Sequence, residues 1–278
     1  MKSGIVSKDR LPLLENFFPE EIFAELIDGR ASALCVADDD GTPISAVAVS
    51  INQEVCELLW ATTVESNRRE GLFTLLFSTL VFELSSQPKI SMITANLVDS
   101  EKYIPMNSFL IKHGFEIIPN HAAVYRTTLK NFREGPISSK TCSNCQIINL
   151  QDATRLQLKS LWSLLKDTEL VSSIDELKKS YDGQLSRMVM TDNSISAYLL
   201  MKCKKDALQL SYLYADSGAG DAIAALLSSA SRDAIDRFSE DMLVEMCAIN
   251  EKSKKLANGL IPNAEVLYTY SARLAIKA

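Results

Sequence analysis

Leu58-Leu-Trp-Ala-Thr-Thr-Val-Glu-Ser-Asn-Arg-Arg-Glu-Gly-Leu-Phe-Thr-Leu-Leu-Phe77 decides how this chain is read. Its first residues are apolar or β-branched and suit a buried strand. Glu65, Ser66 and Asn67 break the run. Arg68, Arg69, Glu70 and Gly71 follow, then an apolar segment to Leu84 without Pro or further Gly. The pattern predicts strand, tight loop, helix. A loop that opens a helix leaves backbone N–H groups unpaired at the positive end of the helix dipole. Such an end takes phosphate readily. Gly71 lets an anion approach where a Cβ would intrude, and Arg68 and Arg69 add positive charge.

Downstream lies Asn107-Ser-Phe-Leu-Ile-Lys-His-Gly-Phe115, followed by Glu116-Ile-Ile118. Gly114 suits the left-handed position after a helix, and Phe115 can cover the last turn. The stretch around Arg68 resembles the acyl-CoA loop of the GNAT acyltransferase superfamily, Gln/Arg-x-x-Gly-x-Gly/Ala after a strand. Arg68 and Gly71 match that pattern; Phe73 stands where the family is small. The Gly114-Phe115 ending resembles the family's last-helix ending. The order of strand, R-x-x-G, helix, strand, helix ending in Gly-Phe, and strand is more specific than either motif, and the resemblance covers about residues 5 to 130.

The 278 residues allow one large domain or two ordinary ones. Hydrophobic content of 47% and charged content of 23% make a normal globular balance. Net charge is −6 and no basic block appears, which argues against nucleic acid as a partner. No apolar run reaches the roughly 18 residues that span a bilayer. The stretch Met1–Ser7 lacks a signal-peptide core, so a cytoplasmic protein without a membrane partner is expected. Cys35, Cys56, Cys203 and Cys247 read as small buried thiols. Cys142-Ser-Asn-Cys145 has C-x-x-C spacing, but no second pair or nearby His completes a zinc site. An apolar run rather than a helix start follows it, which speaks against a redox pair. No metal is expected.

Pro19 splits an apolar stretch from Leu11 to Asp28 into two short helices. Strands are expected at Ala31–Ala37, Pro43–Ile51, Val55–Thr63, Ile90–Leu97 and Ala122–Leu129, the last finishing the first unit. Asp38–Gly41 reads as a solvated turn. Helices are expected from Leu72 to Gln87 and from Met106 to His113. Residues 131–145, rich in Gly, Pro and Ser at their centre, read as a linker. The second half repeats the plan in order and length: a strand at Gln146–Asn149, helices at Asp152–Leu165 and Ile174–Tyr181, with Asp152 as N-cap, and a hairpin of Arg187–Thr191 with Ile195–Lys202. Then come a strand at Ala207–Tyr214, a loop Asp216–Asp221, a helix at Ala222–Phe238, a strand at Leu243–Ile249, a helix at Glu251–Asn258 capped by Gly259, and a strand at Glu265–Leu274. The fold class is α/β (α+β). Two tandem GNAT-like domains are expected, each a mixed, mostly antiparallel twisted sheet flanked by helices. Their bounds are 1–130, favoured for the acyl-CoA site, and 146–278. In the second half Gly218 and Gly220 match the two family glycines, while Ala215 replaces the Arg or Gln. They are the alternative cofactor loop, since a glycine loop holds phosphate without Arg.

The resemblance implies transfer of an acyl group, most simply acetyl from acetyl-CoA, to an amine of a small molecule or peptide. The enzyme must position the amine, take its proton, hold the oxyanion and protonate the leaving thiolate. By resemblance, the backbone at Thr62, Thr63 and Val64 holds the thioester carbonyl. The amides from Arg69 through Glu70, Gly71 and Leu72 to Phe73 hold the pyrophosphate, beside Arg68. Many family members place a Tyr acid four residues before the closing Gly; here that position is Leu110. Glu57 is the candidate base, with a solvent-facing strand carboxylate as the bland reading. Tyr103 is the candidate acid, against an ordinary surface Tyr. Asp99 and His113 are weaker candidates, and Trp60 is read as core. A monomer or homodimer is expected. Two other readings stay open: a non-catalytic CoA-binding or scaffolding pseudo-acyltransferase, and an aminoacyl-type transferase.

Overall fold

The computed structural model describes residues 2–87, 89–100, 104–136, 146–166, 171–218 and 220–276. They form two compact units. One spans Met1–Asn120 with Thr269–Ala278, the other His121–Tyr268.

The first unit is a mixed sheet of six strands. β1 (Lys2–Ile5), β2 (Ser32–Ala37), β3 (Pro43–Asn52) and β4 (Val55–Thr63) pair antiparallel in sequence order. β4 then pairs in parallel with β5 (Met92–Val98). The parallel step demands a crossover, and α2 (Leu72–Ser85) supplies it. Its Leu72, Leu76, Phe77, Leu80 and Leu84 recur at helical spacing and are buried. They pack on Val47, Val49, Cys56, Ile93 and Ala95 of the sheet and on Leu110 of α3 (Ile104–Lys112). The other sheet face carries a 3₁₀ turn at Lys8–Phe17 and α1 (Glu20–Asp28), whose Leu11, Leu14 and Leu26 bury Ala33, Ala46 and Ala48. Pro19 separates the two helices, as its fixed φ predicts. The Asp38 carboxylate closes the acidic turn by accepting from Asp40 N–H at 3.1 Å and Thr42 N–H at 2.8 Å.

The second unit has the same order. β7 (Gln146–Asn149), β8 (Arg187–Thr191), β9 (Ser194–Cys203) and β10 (Ala207–Ala215) pair antiparallel, and β10 pairs in parallel with β11 (Leu243–Ala248). α7 (Gly220–Ile235) makes the crossover. α5 (Arg155–Leu165) and α6 (Ile174–Ser180) cover a separate cluster around Leu161 and Leu177.

The ends of the two sheets are exchanged along the chain. β6 (Glu116–Thr128) was expected to finish the first unit, but its Ala123–Thr128 stretch pairs antiparallel with β11 in the second. β12 (Glu265–Ala275) was expected to finish the second, but its Thr269–Ala275 stretch pairs antiparallel with β5 in the first. Each half therefore borrows its sixth strand, and boundaries at 130 and 146 do not coincide with the units. Burial drives the choice: Ala272 is fully buried in the first unit's core, and Ala123 and Tyr125 are buried in the second's.

Local corrections have local causes. The region read as linker begins with α4 (Leu129–Glu134), capped by the Thr128 hydroxyl and anchored by buried Leu129 and Phe132. The N-cap of α5 is Thr154, not Asp152; Thr154 and Gln157 form a reciprocal capping box. Gly259 lies inside α8 (Glu251–Leu260) rather than capping it. Cys56 is buried and Cys35 half-buried, but Cys203 and Cys247 are exposed. Cys142 and Cys145 lie outside the described residues. Among the described residues no helix is long and apolar enough to cross a membrane.

Candidate functional site

β4 and β5 are paired only from Val55 with Met92 to Leu58 with Ala95. Beyond that point they part. β4 continues to Thr63 on its β3 edge, while β5 continues to Val98 on its β12 edge. A bulge at Leu59 marks the divergence, because Leu58 faces Val49 while Trp60 faces Ala48. Parted strands leave peptide groups on their inner edges without ladder partners, and these must find water or a ligand.

The gap opens into a cavity of about 840 Å³. β4 lines it from Leu58 to Thr63, β5 with Ala95, Asn96 and Leu97, and α3 with Pro105, Met106 and Phe109. Its far end is the loop before α2, including Asn67, Arg68, Arg69 and Gly71. Gly71 sits at φ 80°, ψ 7°, a left-handed conformation that glycine adopts at little cost, and a Cβ there would meet nothing within 4 Å. A left-handed residue followed by a helical one turns successive N–H groups toward a common point. The first helical bond runs from Leu75 N–H to Gly71 O, and no side chain caps the end. The N–H groups of Leu72, Phe73 and Thr74 are thus open to an anion. Arg69 is also left-handed, at φ 69°. That costs on the order of 1 kcal/mol in a non-glycine residue, and such residues cluster at functional sites. Arg68 donates from Nε to Thr63 O at 3.4 Å and lies 3.7 Å from Glu65, an exposed pair that contributes little by itself.

Seven of the sequence candidates line this cavity: Thr62, Thr63, Arg68, Arg69, Gly71, Leu72 and Phe73. Val64 and Glu70 do not; Val64 begins a 3₁₀ turn, and Glu70 accepts from Asn67 Nδ2 at 3.4 Å. The Phe73 ring does not plug the loop. It leans onto Phe109, with centroids 4.4 Å apart. Trp60, expected in the core, is half-buried and lines the cavity. Leu110 is fully buried in the core, as is fitting for a leucine where a Tyr acid was sought. His113 stacks on Phe109 at 4.1 Å between centroids. Tyr103 lies outside the described residues.

Sequence reasoning missed Asn96, Met106, Phe109 and Asn67. Asn96 carried a usable signal: it is a strongly polar side chain in the otherwise apolar or small run Met92–Val98, and Asn is depleted in strands. Its Nδ2 donates to the half-buried Glu57 carboxylate at 2.7 Å. Its Oδ1 lies 2.9 Å from the Ser271 hydroxyl, which is also 3.1 Å from Asn120 Oδ1. Glu57 and Asn96 flank the last paired residues, so this polar row crosses the point where the strands part.

The second unit parts in the same way. β10 and β11 pair only from Ala207 with Leu243 to Leu210 with Met246, and Ser211 is the bulged residue. Gly218 is left-handed at φ 89°, and Gly220 opens α7. The loop charges differ: Asp216 and Asp221 stand here without an Arg or Lys, whereas Arg68 and Arg69 balance Glu65 and Glu70 in the first loop.

No family profile matches the chain, and no curated protein matches it. Solved structures do. A tandem GNAT protein from the clavulanic acid biosynthesis pathway, without AcCoA, is 12% identical, with 100% of this chain and 99% of that chain covered and a TM-score of 0.73. A GCN5-related N-acetyltransferase from Sphaerobacter thermophilus is 12% identical, with 100% and 96% covered and a TM-score of 0.60. A probable N-acyltransferase from Enterococcus faecalis V583 is 12% identical, with 99% and 72% covered and a TM-score of 0.57. At this identity the likeness is one of fold. The chain has the tandem GNAT fold, a mixed and mostly antiparallel sheet flanked by helices in each unit.

Proposed function

We propose that the first unit binds acetyl-CoA, or a related acyl-CoA, along the gap between β4 and β5 and transfers its acyl group to an amine of a small molecule or peptide. One observation carries the reading: the strands part into a cavity that ends on the uncapped α2 terminus, with Gly71 left-handed and two arginines alongside. The diphosphate sits against the N–H groups of Leu72, Phe73 and Thr74 and beside Arg68 and Arg69. The pantetheine arm runs between the strands, and Thr62 and Thr63, which line the cavity beyond the last β4–β5 pair, face the thioester carbonyl, whereas the Val64 N–H is taken by Ile44 O at 2.9 Å. The similar solved structures named as acyltransferases support acyl transfer in general.

Glu57 is the base of this scheme. It is half-buried at the parting of the strands and held by Asn96, which itself lines the cavity. An amine reaching Asn96 is positioned to give up its proton to Glu57 or to a water on it. The acidic chain suits a cationic amine through its long-range field.

The test is amine-dependent release of CoA thiol from acetyl-CoA across a panel of small cationic amines and peptide N-termini. Release above the uncatalysed rate is the expected result. Calorimetric binding of acetyl-CoA with no release under any amine would favour the second reading, a non-catalytic CoA-binding protein, which buried Leu110 supports. No binding would remove both.

A further inference from the structure

The second unit has a cavity of its own, of about 860 Å³, between α5 and α6. Small-molecule sites commonly have volumes of this order. Its walls follow from helical spacing. Arg155, Lys159 and Trp162 recur at i, i+4 and i+7 on α5, and Ile174 and Lys178 at i and i+4 on α6, so each set shares one helix face. Leu158 and Ile174 add apolar lining. Trp162 is half-buried, and its indole N–H donates to Val171 O at 3.3 Å, which ties the ring in place.

The cavity is positive in an acidic protein. Three cationic side chains line it against one carboxylate, Asp175, while the chain as a whole carries −6. Arg155, Lys159 and Lys178 form no ion pair among the described residues. Like charges brought together from two helices repel, and an anion placed among them replaces that repulsion with attraction. Acidic groups elsewhere on the surface act weakly here, because salt screens them beyond about 10 Å at 0.1 M. The hydroxyls on the rim are already engaged: Ser172 Oγ bonds Glu176 Oε2 at 2.5 Å, and Ser173 Oγ accepts from Glu176 N–H at 3.1 Å. Recognition is left to the cations and the indole face. An Arg fork matches phosphate oxygens, and lysines act as point charges beside it. The matching ligand joins a flat ring to several negative charges.

We propose that this cavity binds a nucleoside polyphosphate, its base stacked on Trp162 and its phosphates held among Arg155, Lys159 and Lys178. The cavity lies wholly within the second unit, and its ligand is independent of the acyl-CoA reading of the first. Two sources share this chemistry: a free nucleotide and the nucleotide end of CoA.

Trp60 and Trp162 are the chain's two tryptophans, so in Trp60→Phe the emission of Trp162 alone reports. It is followed as ATP is added to the full chain at roughly 0.1 M salt. The expected result is a saturable change. Tripolyphosphate and adenosine, each one part of the ligand, should bind at least roughly tenfold more weakly. Lys159→Glu should weaken ATP binding roughly tenfold or more. Lys252→Glu makes the same charge change on α8, outside the cavity, and should leave binding nearly unchanged. Both lysines are exposed, so neither substitution disturbs the core. Gly71→Asp, which blocks the anion site proposed in the first unit, should leave the signal intact. In that background, CoA binding as tightly as ATP identifies the nucleotide end of CoA as the source, and weaker CoA binding identifies a free nucleotide. No saturable change, equal weakening by Lys159→Glu and Lys252→Glu, tripolyphosphate as tight as ATP, or loss of the signal in Gly71→Asp would each overturn the assignment.

Discussion

Glu57 and Asp182 show how differently two partly buried carboxylates are used. Glu57 is held by a neutral amide, Asn96, and forms no ion pair among the described residues. Glu57→Gln keeps an acceptor for Asn96 and removes the proposed base. Amine-dependent turnover should fall by roughly 10²-fold or more with acetyl-CoA affinity unchanged; equal turnover in the variant would retire Glu57 from the chemistry. Asp182 is held by a cation. Arg237 reaches it with two bonds of 2.9 and 2.8 Å, and the Leu185 N–H adds a third at 2.8 Å. Burial pushes its carboxyl up, but the bonds from Arg237, Leu185 and Cys203 outweigh that and hold it at about 2. A folded value below the unfolded one means stability that is present above about pH 4 and lost as pH falls toward 2. The contribution is about 2 kcal/mol. Urea denaturation should therefore find Asp182→Asn weaker than wild type at neutral pH, with the gap closing toward pH 2. A gap that does not change with pH would contradict the assignment.

At the scale of elements, capping and packing set the stability around the sites. Thr154→Ala removes a capping box and should cost about 1 kcal/mol in the second unit, read from its chemical denaturation midpoint. Leu76 is fully buried on the sheet side of α2, and Leu76→Ala should cost roughly 2–5 kcal/mol. Such elements were legible in the sequence because period and composition are local. The β4–loop–α2 unit announced itself through a strand-like run, Gly71 and an unbroken apolar helix. Lys2–Ile5 did not read as a strand, since Lys-Ser-Gly-Ile has no alternation, and α4 hid behind the Gly and Pro that follow it. The cavity's far wall was also hidden. Phe109 and Met106 look like ordinary helix residues until α3 is placed beside the parted strands.

Strand partnership is a property of the whole molecule and left no mark in the sequence. β6 and β12 are both apolar strands that follow a helix, and either could have closed either sheet by pattern alone. The exchange makes a prediction that a simple two-bead chain does not. A chain ending at Tyr268 keeps every residue that lines the cavity between β4 and β5, yet loses the strand paired with β5. It should fail to bind acetyl-CoA; retention of full affinity would show that the borrowed strand is dispensable. The central claim remains the grip of the α2 terminus on a diphosphate. Its most direct measurement is the thermal shift given by acetyl-CoA on wild type, Gly71→Asp and Gly218→Asp. Both glycines are left-handed, at φ 80° and 89°, so the backbone strain of the two variants is matched. At a hundredfold its dissociation constant the ligand should stabilise wild type by about 2.7 kcal/mol. The account predicts that this shift survives in Gly218→Asp and vanishes in Gly71→Asp. No shift in wild type, or loss in Gly218→Asp alone, would contradict it.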